Sequence, residues 1–305
     1  MEYYISVASV MGIHALLGLS VYLVAISGQM SFGQQGFFAL GAYLAGMGTA
    51  LWGLHLLPAL LLGVAVAALF GVIVGFPALR VRGLYLAIAT FGFGEIVRLA
   101  FLNIRYTKTI GGRVVGPNAA EGFRHIRYVF DRGITSLQYL GIILVGLAVV
   151  VVLFYLLDRS KFGAKLRAVE EDETAAAMVG INVTRVKVLA FTGAAAVAGL
   201  SGGFFVHYSS YIDHDIVALP LAIASVTYPI LGGLGSFAGP LLGTVILVGL
   251  TEGLRVLHEL REFVYGALII LMMIFRPRGL VDEALVIRVR SWFRPAAAAA
   301  ATKAP

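Results

Sequence analysis

Residues 56–79 read Leu56-Leu-Pro-Ala-Leu-Leu-Leu-Gly-Val-Ala-Val-Ala-Ala-Leu-Phe-Gly-Val-Ile-Val-Gly-Phe-Pro-Ala-Leu79, a stretch without one charged or hydrogen-bonding side chain. Wound as a helix at about 1.5 Å per residue, it reaches across the roughly 30 Å hydrocarbon core of a bilayer. The strands of a membrane barrel alternate in polarity over about ten residues. This run does not alternate, so the segment reads as a spanning helix.

Working outward, the pattern repeats. Further apolar runs lie at 4–27, 37–53, 83–104, 137–157, 188–206, 219–234, 238–255 and 263–275. The expected fold is all-α: a polytopic transmembrane helical bundle of about 8–10 spanning helices, with glycine-interrupted segments. The chain is 60% hydrophobic and 13% charged, against about 25% charged in a soluble domain. Its mean hydropathy is +0.93. A surface that poor in charge suits lipid and not water. The 4–27 run has spanning length and no basic leader, so it reads as a span and not as a signal peptide. Residues 1–281 are expected to form the membrane domain and 282–305 a partly disordered tail.

Charge is unevenly placed. Glu2 is the only charged residue before Arg80. The net charge of +7 might suggest nucleic acid, but the basic residues fall in short clusters between apolar runs, which points to lipid headgroups. Six basic residues lie in 158–187 and six in 105–136. With Arg80, Arg82 and the C-terminal residues added to the first group, and Arg255 and Arg261 to the second, the balance is fourteen to eight. The positive-inside rule therefore places 158–187 and the C-terminus in the cytoplasm and 105–136 outside.

Three places could carry function. The first is a pair of glycine-rich breaks, Ser31-Phe-Gly33-Gln34-Gln-Gly36 early and Gly233-Leu-Gly235-Ser236 late. Paired interruptions of hydrophobic segments point to a transporter's solute route. Ser31, Gly33, Gln34, Gly36, Gly233, Gly235 and Ser236 are therefore candidate pathway residues. Close packing through small residues is the competing reading. The second is Glu95 with Arg98, at i, i+3 inside the 83–104 run. Glu95 is a pathway candidate because ionisable groups at that depth are costly, while simple pairing is the alternative. The third is 158–187, where a basic stretch at 161–169 precedes a short helix at about 172–179, opened by acidic residues and stopped by Gly180. That shape suits docking into a partner's groove.

Other chemistry is excluded. There is no cysteine. The stretch His207-Tyr-Ser-Ser-Tyr-Ile-Asp213-His214-Asp215 fits no recurring metal-ligand spacing. Gly233, Gly235 and Ala238 are preceded by no strand, so they make no dinucleotide fingerprint, and no Walker A sequence exists. No catalytic residue, metal or cofactor is expected, and no nucleic-acid partner.

Read together, these segments resemble the LivM-type permease subunit of bacterial branched-chain amino acid ABC importers. The resemblance runs from about residue 15 to 281. It is carried by Gly28-Gln-Met-Ser-Phe-Gly-Gln-Gln-Gly-Phe-Phe-Ala-Leu-Gly-Ala-Tyr43, Arg82-Gly-Leu-Tyr-Leu-Ala-Ile-Ala-Thr90 with Gly94-Glu95, and Ser160-Lys-Phe-Gly163. Arg167-Ala-Val-Glu-Glu-Asp172, Gly180-Ile-Asn-Val183, Leu231-Gly-Gly-Leu-Gly235 with Gly239-Pro240, and Pro277-Arg-Gly-Leu280 complete it. The resemblance implies a multi-pass subunit of the bacterial inner membrane that is not an enzyme. It further implies a heterodimer with a second permease subunit, two cytoplasmic ATPase subunits and a periplasmic solute-binding protein. Residues 172–180 would be the ATPase-coupling segment, with Glu173, Ala175, Ala176 and Gly180 at the contact. One departure stands out: Gly111-Gly112 and Gly116-Pro117-Asn118 are separated by Arg-Val-Val, where the family often has a compact Gly-Gly-Pro-Asn. Permeases for urea or short amides share this general look, and an ion-coupled secondary transporter is the reading from another class.

Overall fold

The structure is a computed structural model. It describes residues 2–253 apart from 79 and 82, together with 266, 267, 270, 274 and 280. The expected span at 263–275 is described only in part, and the tail at 282–305 lies outside the described residues.

Helix α1 (Glu2–Ala25) is apolar on all sides and sits at the centre of the bundle, as a helix without a polar face must. After it come α2 (Gln34–Ala50), α3 (Leu56–Ala78) and α4 (Leu84–Asn103), of which α3 and α4 both pack against α2. A short antiparallel sheet follows, β1 (Lys108–Ile110), β2 (Arg113–Pro117) and β3 (Phe123–Arg124), with Lys108 opposite Val115 and Gly116 opposite Arg124. Then come α5 (Tyr128–Asp131), α6 (Ser136–Arg159), α7 (Lys161–Glu171), α8 (Glu173–Met178) and α9 (Val183–Ser209). The described chain closes with α10 (Leu219–Gly232) and α11 (Ala238–Gly253).

Among the described residues, α1, α3, α4, α6 and α9 are long and apolar enough to cross a membrane. Side chains such as Leu57, Leu61, Leu84, Leu137, Val145 and Leu153 lie exposed on α3, α4 and α6, an exterior that suits lipid. Helices α2, α3 and α9 cross through glycine. A Cβ on Gly41 would lie 2.0 Å from the Gly199 carbonyl oxygen, and one on Gly63 would lie 2.7 Å from that of Gly41. Such backbone contact supplies the dispersion attraction that holds helices together where lipid removes the hydrophobic drive.

The two ends of the bundle are distinct. At one end the Tyr208 hydroxyl donates to the Ser6 carbonyl at 3.4 Å, and Phe123 bridges Ile212; this is the sheet end. At the other, the turn after α1 meets α7, where a Cβ on Gly28 would lie 3.4 Å from Glu170 Cα.

Two expected spans turn out differently. With 14 residues, α10 reaches only about 21 Å, and α11 is described over 16 residues, about 24 Å. The Tyr3 hydroxyl donates to Glu252 at 3.4 Å, which sets this part of α11 at the sheet end. Gly18, roughly two-thirds along α1, meets Tyr228 and Pro240. The 219–253 segment is therefore a hairpin that enters from the sheet end and turns inside the height of α1. Glycine permits the turn: a Cβ on Gly232 would lie 1.8 Å from the Gly239 carbonyl oxygen.

Candidate translocation seam and coupling segment

The link between α1 and α2 is the early glycine break. Gly28 has φ +75, residues 29–33 are non-helical, and Gly33 caps α2. The Gly33 amide donates to Ser31 Oγ at 3.2 Å, and the Phe32 amide to Thr90 Oγ1 at 3.1 Å. A Cβ on Gly33 would lie 2.7 Å from the Thr90 carbonyl oxygen, and one on Gly36 3.0 Å from Gly94 Cα. Thr90 is about 9 Å inside the start of α4, so this irregular backbone runs alongside α4 and not beyond its end. Non-helical backbone at such depth is tolerated only where protein or a watery cavity covers it. Helix α2 begins at Gln34, so Gln34 and Gly36 lie in its first turn and not in the break proper.

Three glutamines line this seam. Gln34 and Gln35 are 0% exposed and Gln29 is 6%. Neither amide atom of any of the three finds a hydrogen-bond partner among the described residues. Gln35 lies against α4, where a Cβ on Gly94 would come within 2.7 Å of its Nε2. Glu95 follows Gly94 and receives a hydrogen bond from Arg98 Nε at 2.7 Å, so the two charges balance each other on the flank of α4. Gly33 and Gly36 thus meet α4 directly, with Ser31 and Gln34 beside them in the chain and Glu95 next to Gly94 on α4.

The late break is separate. Gly233 caps α10 with φ +102, Ser236 Oγ accepts from the Ala238 amide at 3.3 Å, and Gly235 is exposed. Among the described residues no hydrogen bond joins this turn to 28–36. Gln29, Gln35, Thr90 and Gly94 escaped the sequence reading. One signal was present: three of the chain's four glutamines fall within residues 29–35.

The 158–187 segment folds as expected into two helices. Ser160 caps α7, and its inner face buries Leu166 and Val169. The Asp172 carboxylate accepts the amides of Thr174 at 2.7 Å and Ala175 at 3.0 Å. Those bonds, Ala175's first, hold its carboxyl below the ordinary carboxylate range. Gly180, at φ +84, stops α8. Ala176 turns inward and is buried, and Glu173 pairs with Lys187 of α9, which is 3% exposed. What α8 presents outward is Ala175, then Met178 at 79% and Val179 at 77% exposure.

At the sheet end a cavity of about 540 Å³ opens between α2 and the sheet, lined by Thr49, Arg113, His125, Arg127 and Arg132 among others. Two of its arginines are engaged, Arg127 with Asp131 at 3.5 Å and Arg132 over the Tyr128 ring. No group of three or more His, Asp or Glu able to hold a metal occurs among the described residues.

Residues 3–273 match the family described as branched-chain amino acid transport system / permease component. The chain is 33% identical to the high-affinity branched-chain amino acid transport system permease protein LivM of Salmonella typhimurium, over 91% of this chain and 69% of that protein. It is 30% identical to LivH of Escherichia coli over 52% of each. It is 26% identical to the fructose import permease protein FrcC of Rhizobium meliloti, over 84% of this chain and 72% of that one. No solved structure matches significantly.

Proposed function

The chain belongs to the branched-chain amino acid transport system permease family, and from that premise we propose that it is the membrane-spanning permease subunit of a bacterial importer for branched-chain, hydrophobic amino acids. The observation that carries this reading is the 33% identity to LivM across 91% of the chain, against 26% for the fructose permease. The chain works with a second permease subunit of the LivH kind, two cytoplasmic ATPases and a periplasmic solute-binding protein, in the inner membrane. It has no P-loop, so the energy reaches it through contact. The exposed tip of α8, at Met178 and Val179, is the contact surface, and the α1–α2 link packed on α7 receives the movement.

Sugars, urea and short amides are the competing solutes. Ion-coupled transport is disfavoured, because carboxylate, lysine and arginine groups well inside the five long helices reduce to the self-paired Glu95 and Arg98, and His14 of α1 and His207 of α9 are each hydrogen-bonded within the bundle. Such carriers usually need titrating groups on several helices. The test is uptake by the assembled complex in vesicles, with labelled leucine, fructose and urea in parallel. ATP-dependent accumulation of leucine is expected. Accumulation of fructose or urea alone overturns the solute, and accumulation driven by an ion gradient without ATP overturns the class.

A further inference from the structure

Six buried amide atoms without a partner, gathered within seven residues, need a physical reason. The groups are Nε2 and Oε1 of Gln29, Gln34 and Gln35. Buried polar side chains are nearly always hydrogen-bonded, because leaving them unpaired forfeits the interaction with water and returns nothing. A helix interface needing only packing would carry leucine or methionine there. Their surroundings do not supply partners. Thr90 Oγ1 donates to the carbonyl of Leu86 and lies equally near that of Ala87, while it accepts the Phe32 amide. Ser31 Oγ accepts the Gly33 amide. The neighbouring charges, Glu95 and Arg98, are paired with each other.

The interface that holds these amides is built to part. On one side are Gly33 and Gly36, on the other the Thr90 carbonyl and Gly94, all touching through backbone. The large side chains across this helix pair are rings: Phe93, which a Cβ on Gly36 would meet at 3.0 Å, and farther along Tyr43 stacked on Phe101. Phe37 lies tilted against Phe93 at 4.8 Å between ring centroids, an apolar contact that can re-form after sliding. The same segment abuts α7 through Gly28 and Glu170, so displacement of the α7–α8 pair reaches it directly.

We infer that Gln29, Gln34 and Gln35 form a solute-binding seam, closed in this structure, which opens between the first turn of α2 and the middle of α4 and hydrogen-bonds a zwitterionic solute as it passes. The chemistry fits that class. A primary amide offers a donor pair to a carboxylate and an acceptor to an ammonium. It is uncharged, so it holds neither end so tightly that the solute cannot leave. The apolar side chain of such a solute would lie against the phenylalanines beside it. This inference rests on the transport reading above.

The test uses the full complex in vesicles. Gln34→Met and Gln35→Met keep the side-chain volume and remove the orphan amides. They should raise the thermal unfolding temperature, because an unsatisfied polar group has been replaced by a packed one. Uptake of labelled leucine should fall about tenfold, the loss expected for one charge-assisted hydrogen bond to a passing solute. Gln29→Cys and Gln34→Cys, in a chain with no other cysteine, should resist a small polar thiol reagent at rest and react during turnover with ATP and solute. Normal uptake by both methionine variants overturns the seam, and so does a labelling rate unchanged by turnover. Should a methionine variant fail to assemble, the labelling decides alone. Absence of leucine uptake by the unmodified complex overturns the transport reading itself, while turnover-dependent labelling of Gln34→Cys still reports whether the seam opens.

Discussion

Lys187 sits in the opening turns of a membrane-crossing helix with 3% of its surface exposed, and an ammonium in that position has to be paired. Its partner is Glu173 of α8, a residue read from sequence as facing the ATPase. The structure pairs Glu173 with its own chain, and we propose that its part in coupling is to hold α8 in place. Breaking a buried pair by removing one partner costs about 3–5 kcal/mol, whereas replacing both by apolar groups of similar size is often neutral. Because Glu173 is about a quarter exposed, the lower end of that range applies. Glu173→Ala should therefore leave the protein inserted, lower co-purification of the ATPases and abolish most uptake. The double variant Glu173→Leu with Lys187→Met should recover co-purification. Equal behaviour of Glu173→Ala and the unmodified chain would remove the latch; failure of the double variant to recover would mean that the charges themselves meet the ATPase. Neither partner was separable in the sequence, because the thirteen residues between them hide that a turn at Gly180 brings them together. The glutamines were half legible. Their crowding is visible in the sequence, but that all three are buried with no partner, Gln35 against Gly94 of α4, is visible only in the fold.

Six residues cannot hold a helix in water, since nucleation is unfavourable and short helices are marginal. Helix α8 persists because its ends are tied. Asp172 satisfies two amides at the start, Gly180 turns the chain at the finish, and Ala176 is buried beneath it. The boundaries were legible from sequence because aspartate and glycine punctuate them. The face was not, because six residues hold less than two turns and show no period. That matters for how coupling is probed. Ala176→Trp overpacks the chain's own core, at about 1–3 kcal/mol, and would report on folding. Met178→Glu and Val179→Glu place a charge on the exposed tip and leave the packing alone. Both should insert normally and lose ATPase co-purification by about tenfold or more, given that a buried apolar side chain contributes roughly 1.5–3 kcal/mol to a contact. Undiminished co-purification with both variants would show that α8 is not the docking element. The α10–α11 hairpin was illegible for a different reason. Two apolar runs joined by a glycine turn read alike whether the turn lies outside the bilayer or inside the protein, and only the contact of Pro240 with Gly18 decides between them.

At the scale of the molecule the two ends carry different work. The sheet end gathers β1 to β3, the arginine-lined cavity and the mouth of the hairpin. The other end gathers α7, α8, the start of α9 and the link that bears the glutamines. An importer of the proposed kind needs such a polarity: a face that receives solute from a binding protein and a face that receives work from an ATPase. By the positive-inside rule, the fourteen-to-eight basic bias of the sequence predicts that the α7–α8 end faces the cytoplasm. Part of that count lies in residues outside those described, such as Arg276 and Arg278, so the bias and the geometry are independent arguments. They agree only if the seam and the coupling helix share the cytoplasmic half. The chain's freedom from cysteine permits a direct test. Lys165 on α7 and Lys108 on β1 are both exposed, at opposite ends. In intact cells with the outer membrane made permeable, Lys108→Cys should react with a membrane-impermeant maleimide. Lys165→Cys should react only after the inner membrane is opened. The reverse pattern would put α8 outside the cell, where no ATP is supplied, and the coupling role of α8 and the inward direction of transport would fall with it.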